Sequence, residues 1–143
     1  MIDIEQYVGK LWTQSLTATP PPADLWVAPD IDVDTVKNLP ALTWNIVGDG
    51  ETEDGPGAVG IILNVNILGN GMDQAKDAAR HVDDVAMAWF DDPWPTAITV
   101  DGDRIVVSDG DRIDMPTRIA EAMVEGRNLV QYSGSYRLLL RFN

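Results

Sequence analysis

Apolar positions along the chain fall into two periods. From Asp3 to about Leu16, Ile4, Tyr7, Val8, Leu11 and Trp12 recur at spacings of three and four, which predicts an amphipathic helix, and Asp3 with Gln6 has capping-box spacing. Thr19-Pro20-Pro21-Pro22 stops it, because a proline run supplies no backbone donors, and the chain then runs as a connector through Leu25-Trp26-Val27 into Ala28-Pro29-Asp30. Alternation follows. Leu42, Trp44 and Ile46 share one face of a strand from Ala41 to Val47, and Ile61, Leu63, Val65 and Ile67 share one face of a second from Val59 to Leu68. Between them lies an acidic, glycine-rich stretch, Gly48 to Gly57, so the pair reads as a hairpin with a long tip.

The helical period then returns. Met72, Ala75, Ala79, Val82, Ala86 and Trp89 recur at 3-4-3-4-3 spacing, with Asn70 and Asp73 as N-terminal caps. Asp73, Lys76, Asp77, Arg80, Asp83 and Asp84 form the outer face, and Asp91-Asp92-Pro93-Trp94-Pro95 ends the helix. Asp101-Gly102 between alternating Ile98, Val100 and Ile105, Val107 is a two-residue hairpin signal. The block Asp101-Gly102-Asp103-Arg104-Ile105 recurs as Asp109-Gly110-Asp111-Arg112-Ile113, and both copies read as turn-plus-strand units. Thr117 to Glu125 carries both helical and strand signals, and the pattern does not choose between them. Tyr136, Leu138, Leu140 and Phe142 alternate with Arg137, Leu139 and Arg141 in a closing strand expected to pair inside a sheet. The expected fold is one α+β domain over 1–143, with an antiparallel or mixed β-sheet packed against one long helix and an additional N-terminal helix.

Composition narrows the function. A chain of 143 residues that is 45% hydrophobic can bury a real core, so disorder is not expected. It has 23 acidic against 10 basic residues, a net charge of −13, which opposes capture by nucleic acid or an anionic membrane. With 0 Cys there is no disulfide framework, thiolate metal site or thiol nucleophile. No apolar run approaches the roughly 20 residues that span a bilayer, the run Ile61 to Leu63 ending at Asn64. Met1-Ile2-Asp3-Ile4-Glu5 is acidic where a signal peptide has a basic segment, so export by that route is not expected.

Searches for chemistry return little. The single histidine, His81, stands one turn after Asp77, an ordinary helix-surface pair. Asp30, Asp32 and Asp34 begin like a calcium loop, but Thr35 and Ala41 occupy the positions where Gly and Glu are needed. Asp101, Asp103, Asp109 and Asp111 could gather a hard cation only if two turns met, and Asp83-Asp84 and Asp91-Asp92 point apart as sequence neighbours. Ser133-Gly134-Ser135 has no histidine within reach, and no phosphate-cradling loop occurs. The expectation is a protein without catalytic, cofactor or metal residues. Of the five tryptophans, Trp12, Trp44 and Trp89 fall on apolar faces and read as core. Trp26 and Trp94, bracketed by prolines, are candidate interface anchors.

The order of elements, and above all the strand Ile61-Ile62-Leu63-Asn64-Val65-Asn66-Ile67-Leu68 running through Gly69-Asn70-Gly71 into the Ala-rich helix Met72 to Phe90 and the closing Tyr136-Arg137-Leu138-Leu139-Leu140-Arg141-Phe142, resembles the tail-terminator (tail-completion) proteins of long-tailed bacteriophages. The resemblance implies a structural virion protein, made in the host cytoplasm, that assembles with itself into a ring, hexameric in that family. The ring caps the head-proximal end of the tail tube, stops polymerisation and joins tail to head. Its implied partners are the tail tube protein and the head–tail connector proteins, with DNA only as passing cargo and no membrane. Asp49, Glu51, Glu53 and Asp54 become a candidate channel or partner loop, since an electronegative wall would let DNA pass without sticking. The proline link and the repeated Asp-Gly-Asp-Arg-Ile block have no counterpart in a typical small terminator. Other readings are a head-completion or tail-tube subunit, a small acidic binding or inhibitor module and, weakest, a metal-dependent hydrolase using the Asp clusters.

Overall fold

A computed structural model describes residues 3–20, 25–29, 35, 37–47, 57–91, 96–124 and 126–142. Helix α1 spans Ile4–Ala18, capped by Asp3, whose carboxylate accepts the Gln6 N–H at 2.9 Å. Six strands follow in one sheet: β1 (Trp26–Ala28), β2 (Ala41–Val47), β3 (Ala58–Asn70), β4 (Ile98–Val100), β5 (Asp103–Val124) and β6 (Arg127–Phe142). Helix α2, Met72–Asp91, lies between β3 and β4 in sequence. The order across the sheet is β1-β2-β3-β6-β5-β4; β1 runs parallel to β2 and every other neighbouring pair is antiparallel, so the fold is α+β with a mixed sheet.

One core holds it together. Ile61, Leu63, Val65 and Ile67 of β3 and Tyr136, Leu138 and Leu140 of β6 are buried together with Tyr7, Val8, Leu11 and Trp12 of α1 and with Ala78, Ala79, Val82, Val85, Ala86 and Trp89 of α2. Burial of each side chain of this size is worth about 1.5–3 kcal/mol, which is why the period-2 and period-3.6 patterns decide the layout. Trp89 stacks edge-on against Trp12 at 4.6 Å and donates its indole N–H to the Ser15 hydroxyl at 2.9 Å, tying the two helices together. On the opposite face, amides pair across strands: Asn64 donates to Asn45, and the Asn66 carbonyl oxygen accepts from both Gln131 and Ser133.

Several expectations need correction. Trp26–Ala28, expected as connector, is an edge strand, and Trp26 N–H donates to the Pro40 carbonyl at 3.0 Å. The cap of α2 is Gly71, at φ 89°, whose carbonyl accepts from Ala75 N–H, whereas the Asn70 side chain accepts from Asn128 N–H. Asp101 (φ 50°) and Gly102 (φ 86°) do form the β4–β5 turn, but the second Asp-Gly block makes no turn: Asp109 to Ile113 runs inside β5. Residues 117–124 of the ambiguous segment are strand, paired to β6 from Thr117↔Ser133 to Val124↔Arg127, and Glu125 lies outside the described residues.

Two buried phenols give the fold a pH dependence. Burial pushes the Tyr7 phenol well above its usual range. Burial also raises Tyr136, reinforced by the Asp83 carboxylate that accepts its O–H at 2.8 Å. Each pKa is higher folded than unfolded, so on raising the pH the unfolded chain loses its protons first. The stability involved is fully present below about pH 10 and is lost above it, at about 1.4 kcal/mol per pH unit for each tyrosine. Denaturation midpoints are expected to fall steeply above pH 10 and less steeply in Tyr7→Phe and Tyr136→Phe; equal slopes in all three proteins would contradict this.

Candidate functional site

Among the described residues, those singled out for chemistry are held by structural contacts. The His81 Nε2 lies 2.7 Å from the Thr19 carbonyl oxygen, so its bond ties α2 to the end of α1. Asp83, expected on the solvated outer face, is half-buried over the sheet, where it accepts from Tyr136 and from Arg112 at 2.7 Å. Its neighbour Asp84 is exposed, as the divergence of adjacent helical positions requires. Asp109 accepts the Gly110 N–H and Asp111 lies 3.7 Å from Arg137, while Ser133 and Ser135 donate to Asn66 and Asp114. Among the described residues no group of three or more His, Asp or Glu could hold a metal ion, and no helix is long and apolar enough to cross a membrane. The calcium-like triplet Asp30, Asp32, Asp34, the candidate loop residues Asp49, Glu51, Glu53 and Asp54, and Trp94 lie outside the described residues.

What the structure brings into view is an edge. Strand β4 covers β5 at Asp103 to Ile105 and Val107 N–H donates to the Thr96 hydroxyl at 3.3 Å, so from Ser108 to Val124 the outer side of β5 has no strand beside it among the described residues. Along it β5 uses twenty residues, 105 to 124, where β6 uses sixteen, 142 to 127, with register shifts between Val107 and Asp109, Arg112 and Asp114, Asp114 and Thr117, and Arg118 and Ala120. Such bulges bend and twist a strand. Pro116 stands in the third shift, where the bulge takes it out of the ladder and its missing N–H costs no ladder bond. Gly134 opposite lets the strand close in: a Cβ there would press on Asp114 O and Pro116 N at 2.9 Å.

The bulges also turn apolar side chains outward. Ile113, Met115 and Ile119 fall within the register shifts and are 40%, 51% and 59% exposed, and Met123 near the hairpin end is 69% exposed. Trp26, the candidate interface anchor, is 40% exposed and stands on β1 at the opposite edge of the sheet. The β5 residues were missed in the sequence because their spacings of two, four and four suit both a strand and a helix and do not choose between them. The signal available was the run of Ile and Met set among charges.

A scan against protein-family models finds no match, and a search of the curated proteins finds none either. Among solved structures, a protein known only by a serial designation is similar at a TM-score of 0.42, with 14% identity over 94% of this chain and 92% of its own. At that level the likeness carries no argument about function.

Proposed function

We propose that this chain is a structural subunit of a phage tail that works by forming a ring on the head-proximal end of the tail tube. There it stops polymerisation and joins the tail to the head. The observation that supports this reading most is the edge of β5: from Ser108 to Val124, seventeen residues of strand without a neighbour among the described residues carry four exposed apolar side chains, a surface suited to being covered by other protein. The α+β layout, with one long helix packed across a sheet and a second helix at the N-terminal end, agrees with the element order from which the resemblance was drawn. Charge fits the same picture, since a protomer at −13 around a passage for DNA repels the phosphates it must let through. The ring's function needs complementary surfaces and no bond chemistry. Its test is capping: added to polymerising tail-tube subunits, the chain is expected to fix tube length and to sit as a ring on one end.

A further inference from the structure

The large apolar side chains left exposed among the described residues sort into two groups by position. Ile113, Met115, Ile119 and Met123 line the open edge of β5. Trp26 and Val47, 40% and 52% exposed, stand at the other edge, because β1 covers β2 at Ala41 to Thr43 and, among the described residues, no strand lies on that side of Asn45 to Val47. Neither group lies on a helix, and each lies on a strand that has no neighbouring strand on one side among the described residues. A single sheet therefore ends in two different apolar edges.

We propose that the β5 edge of one copy docks on the β1/β2 edge of the next, head to tail. This rests on the ring reading and names the surfaces that would make the ring. Charge argues for a second copy as the occupant. The whole chain carries −13, yet the stretch from Arg112 to Val124 holds two arginines, Arg112 and Arg118, against Asp114 and Glu121, so its formal charge is zero. Self-repulsion is weakest where the apolar side chains are exposed. A basic partner would instead be drawn to the acidic remainder of the surface. Two unlike edges also make the contact heterologous, and repetition of a heterologous contact closes a ring when the rotation allows and otherwise runs on as a filament. A β5 edge that paired with itself would give only an isologous dimer.

The test uses the full chain in native mass spectrometry over a range of concentrations, with Ile119→Glu on one edge and Trp26→Glu or Val47→Glu on the other. All three positions are exposed, so circular dichroism and denaturation midpoints are expected to match wild type. Each variant alone is expected to raise the concentration needed for assembly about tenfold or more, since desolvating an unpaired carboxylate removes an anchor. An equimolar mixture of Ile119→Glu and Trp26→Glu is expected to form a one-to-one dimer and nothing larger, because each chain retains one working edge and the two are complementary. If Ile119→Glu alone blocks assembly while Trp26→Glu and Val47→Glu assemble normally, β5 pairs with something other than the β1/β2 edge and the proposal fails. It fails equally if all variants assemble as wild type does, or if wild type stays monomeric throughout. Each of those outcomes leaves tube capping as the separate measure of the ring reading.

Discussion

Truncating Trp12 to alanine is expected to lower the unfolding free energy by about 3–5 kcal/mol, a large share of the roughly 5–15 kcal/mol that holds a domain folded. The indole is fully buried where α1, α2 and the sheet meet, and it lies edge-on to Trp89 with ring centroids 4.6 Å apart and planes at 61°. No neighbour can collapse into the space, since Trp89 is anchored by its own hydrogen bond to Ser15. The Trp12 Nε1 has no hydrogen-bond partner among the described residues. Trp12→Phe, which deletes that unpartnered donor along with part of the ring, is therefore expected to be far milder than the alanine variant. Urea denaturation of both variants, with Trp89→Phe for a double-mutant cycle, checks the ranking; a cycle energy of about 1 kcal/mol is expected for the ring pair. Equal losses for Trp12→Phe and Trp12→Ala would mean that the contact geometry, not the buried volume, carries the effect.

The second large effect is steric. Gly69 ends the straight part of β3 just before the chain turns into α2, and a Cβ there would fall directly on the Ala75 backbone, with its Cα at 2.6 Å. The obstacle is the first turn of a helix that is held in register by Asn70 N–H donating to Gln74, by Gly71 N–H donating to the Asn128 carbonyl, and by the Gly71 cap. It cannot swing aside as a flexible side chain would. Gly69→Ala is expected to lose about 3 kcal/mol, at the upper end of overpacking effects. Gly71→Ala meets no atom but must hold φ 89°, so its loss is expected to be smaller, about 1 kcal/mol. Denaturation midpoints in that order support the account, and a Gly69→Ala chain as stable as wild type contradicts it.

Elements with a sustained period were legible in the sequence: α1, α2, β2, β3 and the second half of β6, from Tyr136 to Phe142, follow from spacing because each buries one face against the same core, and Asp101-Gly102 marks the β4–β5 turn. What was not legible depends on partners distant in sequence. Trp26–Ala28 is three residues long and becomes a strand only through its parallel register with Ala41 to Thr43. In residues 117–124, Ala120, Glu121, Ala122 and Met123 favour helix in isolation, and pairing with β6 overrides that preference. The repeated Asp-Gly pair shows the same competition. At Asp101-Gly102 the positive φ values make a turn, while at Asp109-Gly110 the glycine is needed because Phe90 of α2 crosses over it, with the Cε1 atom 2.5 Å from where a Cβ would stand. The β5 edge escaped for a related reason, since Ile113, Met115, Ile119 and Met123 stand two, four and four apart, a spacing that suits a strand and a helix alike.

The most direct measurement for the proposed role is the length distribution of tail tubes assembled from purified tube subunits at rising ratios of this chain, read by negative-stain electron microscopy. The account predicts that tubes become shorter and narrowly distributed as the ratio rises, each ending on one side in an added ring. Tubes that keep their length and end bare at every ratio would contradict it.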